Sequence, residues 1–143
     1  KNLNFWQRWL FIFSLIIVVF GLFMAFFNRT ALLIALFDNQ INPVFWEGNS
    51  LLPNVEQFLG FIYGILGATM ADGVVIAFIV QNPFRNKERW AWDALILAFS
   101  LWYLTDTAIS LSFGVIFNAL FNTIIFIAAI LPLLFTRKEF KKE

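Results

Sequence analysis

Two carboxylates lie where carboxylates are costly. Asp72 falls inside the apolar run VEQFLGFIYGILGATMADGVVIAFIV, and Asp106 falls inside WAWDALILAFSLWYLTDTAISLS. An ionisable group at membrane depth costs roughly 2.5–3.5 kcal/mol on insertion scales, so such residues mark ligand or ion sites, proton relays or buried pairs. Acids of this kind can transfer protons, and Glu56 with Asp106 would be the pair for doing so on a lipophilic substrate. They can also hold a cation or an amine, or accept hydrogen bonds from a hydroxylated lipid.

Other chemistries are narrowed by what the chain lacks. It contains no cysteine and no histidine. Thiol–disulfide exchange therefore has no thiol, and histidine-ligated zinc or haem has no ligand. No lysine lies within an apolar run, so a retinal-type Schiff base has no amine. No nucleophile motif, metal-ligand cluster or glycine-rich phosphate loop is present. No cofactor is expected, and a net charge of +1 offers no field for nucleic acid. Four-helix membrane isomerases and sterol-binding proteins share the broad plan of buried acids between aromatic walls. That similarity is one of architecture, with no motif behind it.

The elements that must position these residues follow from composition. The 143 residues are 61% hydrophobic and only 13% charged, about half the charge of an ordinary soluble domain. The apolar residues gather into four runs, at about 5–27, 55–80, 90–112 and 115–135. Each has about 20 residues or more, enough to cross ~30 Å of hydrocarbon as a helix. Lys1 and Arg8 ahead of the first run look like a secretory leader. The run is too long, however, and no small-x-small cleavage site follows, so it is read as a retained span. The expected fold is an all-α integral membrane protein: one domain over residues 1–143, with four transmembrane helices in an antiparallel bundle.

Basic residues set the expected orientation. Lys1 and Arg8 precede span one, Arg85, Lys87 and Arg89 separate spans two and three, and Arg137, Lys138, Lys141 and Lys142 follow span four. Arg29 alone lies on the other side, so the positive-inside rule places both termini in the cytoplasm. Trp6, Trp9, Trp90 and Trp92 fall at that same interface. Spans three and four join through a tight turn near Gly114. Spans one and two are separated by a long outer loop, 28–54. Its ALLIALF segment reads as a short interfacial helix or an extension of span one, and Pro43, Gly48 and Pro53 are expected to break regular structure after it. Phe45 and Trp46 are expected to dip into the outer interface, and the loop to rest on the outer end of the bundle or, as the sharper alternative, to form a lid over a cavity.

Helical phase assigns a polar or small stripe to each span. Gln7, Ser14, Gly21 and Asn28 recur every seventh residue in span one. Gly60, Gly64, Gly67, Ala68 and Ala71 share a sector of span two, where Gly60–Gly64 is a small-xxx-small packing motif. Asp72 lies at one edge of that sector, and Glu56 with Tyr63 at the other. Asp106, Ser110, Tyr103 and Thr107 share a face of span three, as do Asn118, Asn122, Ala129 and Pro132 in span four. Ser14, Ser100, Thr107 and Thr123 are read as ordinary packing groups, and Asp93 as an interfacial structural residue.

Depth separates two groups. At 1.5 Å per residue, Asp106, Asn122 and Tyr63 lie about 9–12 Å from the outer end, and Asp72 about 12 Å from the cytoplasmic end. Glu56, Tyr63, Trp102, Tyr103, Asp106, Asn118 and Asn122 are thus the candidate ligand-binding residues, with Arg29 as an ion-pair partner and Asp72 as a separate, inner proton-holding or structural group. The leading functional expectation is a small polytopic membrane protein that binds a lipid or amphiphilic small molecule in an outward-facing polar and aromatic cavity. The alternatives are an accessory or scaffold subunit of a larger membrane complex, and a proton- or cation-coupled transporter acting as a homo-oligomer.

Overall fold

A computed structural model describes residues 2–47 and 51–140. The described residues are helical apart from short turns, and they contain no strand. Helix α1 spans Asn2–Phe27. The connection that follows is itself mostly helical: α2 (Ala31–Leu33), a widened π-helical turn (Ile34–Asp38) and α3 (Asn39–Trp46). Span two is α4 (Pro53–Ala71), α5 (Gly73–Ile79) and a second π-helical turn (Val80–Phe84). Span three is α6 (Arg89–Ser112), and span four is α7 (Ile116–Thr136), which ends in a 3₁₀ turn, Arg137–Phe140. Four helical stretches are long and apolar enough to cross a membrane. Their outer faces carry bulky apolar side chains, such as Phe26, Phe78, Leu104 and Ile124, at 65–77% exposure. In water that surface would be untenable; in lipid it is the expected exterior.

The seven-residue stripe of α1 is a packing seam. Asn28 Nδ2 donates to the Gly60 carbonyl at 3.1 Å. Gly21 meets Gly67, where a Cβ on Gly21 would lie 2.7 Å from the Gly67 carbonyl oxygen. A Cβ on Gly73 would lie 4.0 Å from the Ser14 carbonyl oxygen, and Gln7 Nε2 donates to Gln81 Oε1 at 2.8 Å. The partners on span two thus recur at steps of seven, six and eight residues, the short step falling across Asp72, where α4 gives way to α5. Small residues let the two backbones touch, and amides serve the carbonyls that close approach brings together. The expected Gly60–Gly64 motif does face α1, but loosely, with nearest neighbours at 3.5 and 3.6 Å from a built Cβ. The tight crossing is Gly67 against Gly21 and Ala25, while Ala68, placed in the same sector by phase, is exposed.

Helix α6 packs on α7 through a short turn. The Val115 amide donates to the Ser110 carbonyl at 2.8 Å and the Gly114 amide to Leu111 at 3.1 Å. These are the paired bonds of a Schellman cap, with Gly114 at φ 74° as its left-handed residue. The connection after α1 departs from expectation. Helix continues through Pro43 to Trp46, at the loss of one backbone hydrogen bond and directly after the widened turn. Glu47, at φ 48°, ends it. Pro53 opens α4 at the first helical position, where its missing N–H matters least. Gly48 lies outside the described residues, as do Lys1, Lys141 and Lys142.

Two apolar clusters close the bundle at its ends. One joins Leu3, Leu10, Val80, Phe84, Leu95, Leu133 and Phe140. The other joins Met24, Leu33 and Phe37, with Phe20, Tyr63, Phe117 and Phe121 packed against it. Spans two and three pack together where Val80–Phe84 meets α6, with little direct packing along the rest of their length. A gap is left between the clusters.

Candidate functional site

That gap is a cavity of about 750 Å³. All four spans and the connecting helix α3 contribute to its wall. Its apolar lining includes Phe13, Ile17 and Phe20 from α1, Ile76 from α5, Phe99 from α6 and Ile125 from α7. Phe37, Ile41 and Phe45 form a roof at one end. They are spaced by four residues, so one face of the connecting helix points inward. Phe37 is held edge-on to Phe117 and Phe121, with ring centroids 6.1 and 5.7 Å apart. Phe45 meets Phe113 at 6.4 Å and remains 47% exposed. On the side between spans two and three, Leu66, Thr69 and Asp72 face Ala98 and Ile109 across an open window; all five line the cavity and all five are exposed.

One wall is polar. Asn118 Nδ2 donates to Asp106 Oδ1 at 2.9 Å and to Ser110 Oγ at 2.8 Å. The Ser110 hydroxyl lies 2.7 Å from the Asp106 carbonyl oxygen and 3.2 Å from Oδ1. Asp106 and Ser110 are one turn apart on α6, and Asn118 faces them from α7, so the Gly114 turn sets this registry. The second Asp106 oxygen receives no hydrogen bond from the described residues. One turn beyond Asn118, Asn122 is 3% exposed, lines the cavity, and has a buried amide nitrogen without a partner among the described residues. Tyr63 and Trp102 complete this part of the lining.

Among the described residues, no lysine or arginine lines the cavity wall. Arg29 is committed elsewhere: its guanidinium lies 3.1 Å from Asp38 Oδ2 and 3.8 Å from Glu56 Oε2. Asp38, at the end of the first widened turn, is 5% exposed. Its other oxygen is buried without a hydrogen bond from the described residues, although the Tyr63 hydroxyl lies nearby. The pair fastens the connecting helix to the end of α1.

The structure brings together Tyr63, Trp102, Asp106, Asn118 and Asn122 of the candidate residues. It also brings Asp72 to the same cavity, at its window, rather than to a separate inner packing edge. Depth along a straight helix divides Asp72 from Asp106, but the gap between spans two and three runs past both. Three candidates stand apart. Glu56 is exposed beside Arg29, and Arg29 serves Asp38. Tyr103 is turned into the α6–α7 contact, its ring stacked 4.3 Å from Phe126 and its hydroxyl 3.2 Å from the Thr123 hydroxyl. Asp38 was not among the candidates. Its sequence signal is an acid following ALLIALF, close to Arg29, the one base expected on that side. Ser110 shared the stripe of Asp106 without being singled out.

The arrangement can seat an apolar molecule with a small polar group against Asp106 and Asn122. Among the described residues no group of acids is placed to hold a metal ion. No protein-family model matches the chain, nor does any curated protein or solved structure.

Proposed function

We propose that this chain is a membrane-embedded binding protein for a lipid or other amphiphilic small molecule, which enters from the bilayer through the window between spans two and three. The observation that carries this reading is the cavity itself. Its volume of about 750 Å³ falls within the roughly 300–1,000 Å³ of small-molecule sites, and a mostly apolar wall with a few convergent polar groups is their usual make-up. Phe37, Ile41 and Phe45 lie over the end expected to face outward, and the exposed lining residues between spans two and three support a side entrance. The proposed setting is an antiparallel bundle with both termini cytoplasmic. The basic residues at 85–89 and 137–138 support this orientation, since Lys87 pairs with Glu139 at 2.7 Å and so joins the two basic segments at one end.

Mass spectrometry of the intact protein, released from mild detergent, tests the proposal. One small-molecule adduct per chain is expected for the native sequence and for Leu97→Trp, which lies on the outer surface at 67% exposure. Ala98→Trp, which places an indole in the cavity wall, should lose the adduct. Absence of any adduct from the native protein, or equal occupancy in Ala98→Trp, would refute the reading.

A further inference from the structure

The polar wall restricts what the occupant's head group can be. Asp106 offers a carboxylate oxygen that accepts nothing from the described residues, while its other oxygen is held by Asn118 and Ser110. Asn122 offers an amide nitrogen that is buried and unpartnered among the described residues. A buried donor left without an acceptor is destabilising, so the site favours an occupant that serves it. Asn118 touches Asp106 at 2.9 Å, and Asn122 follows it by one turn, a step of about 5.4 Å. One oxygen making two hydrogen bonds of about 2.8 Å bridges a similar span.

Resting on the binding reading above, we infer that the occupant is a neutral amphiphile whose head group is a hydroxyl, donating to Asp106 and accepting from Asn122. A hydroxyl is the smallest group that does both at one atom. A carboxylate or phosphate accepts from Asn122 but brings its charge against Asp106, after passing Asp72 at the window, with no lysine or arginine among the described lining residues to offset it. An ammonium suits Asp106 but has no lone pair for the Asn122 donor. The apolar remainder of the molecule lies along Ile17, Ile76 and Phe99.

The test uses the full chain in phosphatidylcholine nanodiscs, photolabelled with a hexadecanol analogue bearing a mid-chain diazirine. Unlabelled hexadecanol, hexadecylamine, palmitate and hexadecane compete for labelling. Hexadecanol should compete at least fivefold better than the other three, and Asn122→Leu should weaken its competition about fivefold, as loss of one buried hydrogen bond implies. Leu97→Trp, on the outer surface at 67% exposure, should leave hexadecanol competition unchanged, and Asp72→Asn should improve that of palmitate. Hexadecylamine or palmitate competing as well as the alcohol overturns the head-group assignment. Equal competition by all four, hexadecane included, overturns it too but leaves the cavity reading standing. No saturable labelling of the native protein removes both.

Discussion

Replacing Gly67 by alanine isolates the contact that holds span two against span one. The added methyl would lie 2.5 Å from the Gly21 carbonyl oxygen and 2.9 Å from the Ala25 Cα. Both are backbone atoms, which no rotamer change can move aside. Non-bonded carbon contacts settle near 3.5–4.0 Å, so α1 and α4 must part by about 1 Å. Overpacking of this kind costs about 1–3 kcal/mol, and parting the helices strains the Asn28–Gly60 bond, an interhelical contact worth about 0.6 kcal/mol. Exchanging glycine for alanine in a helix returns up to about 1 kcal/mol, so the net loss should be about 1–2 kcal/mol. Gly60→Ala is the matched comparison. Its methyl meets only the Asn28 and Arg29 side chains, at 3.5 and 3.6 Å, and it should be neutral or slightly stabilising. Reversible unfolding of the full chain by sodium dodecyl sulfate in bicelles, followed by circular dichroism, measures both. If the two variants agree within about 0.5 kcal/mol, well inside the packing cost just given, the tight crossing is not at Gly67 and the seam is misassigned.

Arg29→Ala leaves the buried Asp38 carboxylate unpaired and should lower the stability of the same bicelle preparation by about 1–3 kcal/mol, reduced from the usual buried-pair cost because Arg29 is 37% exposed. Glu56→Ala, removing a partner 52% exposed and 3.8 Å away, should cost under about 1 kcal/mol; equal losses would show that the Asp38 pair has no special weight. Gly114→Ala places a Cβ on a residue at φ 74° and should cost about 1–2 kcal/mol, while Gly114→Asn should recover part of that, because asparagine tolerates the left-handed region. The chain has no cysteine, so single cysteines report topology cleanly. A membrane-impermeant maleimide should label Asn39→Cys in intact cells and Asn86→Cys only after permeabilisation; the reverse pattern inverts the proposed orientation.

Spans were legible because crossing a bilayer demands length and apolarity, and both are properties of a contiguous segment. Helix α6 begins at Arg89 and ends at Ser112, within a residue of the expected run. Helical phase likewise made the α1 stripe visible, since Gln7, Ser14, Gly21 and Asn28 need only their own helix to align. The connecting helix was less legible. Pro43 reads as a breaker, yet the widened turn at Ile34–Asp38 and the packing of Phe37 and Ile41 carry the helix past it. Aromatic contacts with α7 outweigh the one missing backbone bond, and no local rule weighs those terms against each other.

The sequence by itself determined the number of apolar spans and the packing stripe of α1, because hydrophobic length and periodicity act along one segment at a time. It also marked Asp106, Asn118 and Asn122 as polar groups that a membrane helix cannot turn toward lipid without cost. Tertiary structure alone decided their partners. Tyr103 and Asp106 lie on the same stripe of α6, yet one is consumed by Thr123 while the other reaches the cavity wall. Asp72 and Asp106 differ in depth but line one space, because spans two and three diverge above Val80–Phe84. Arg29 chose Asp38, nine residues away, because the connecting helix folds that carboxylate back over the end of α1. Each outcome depends on the distance between two helices, which is set by side chains on both and is written in neither alone.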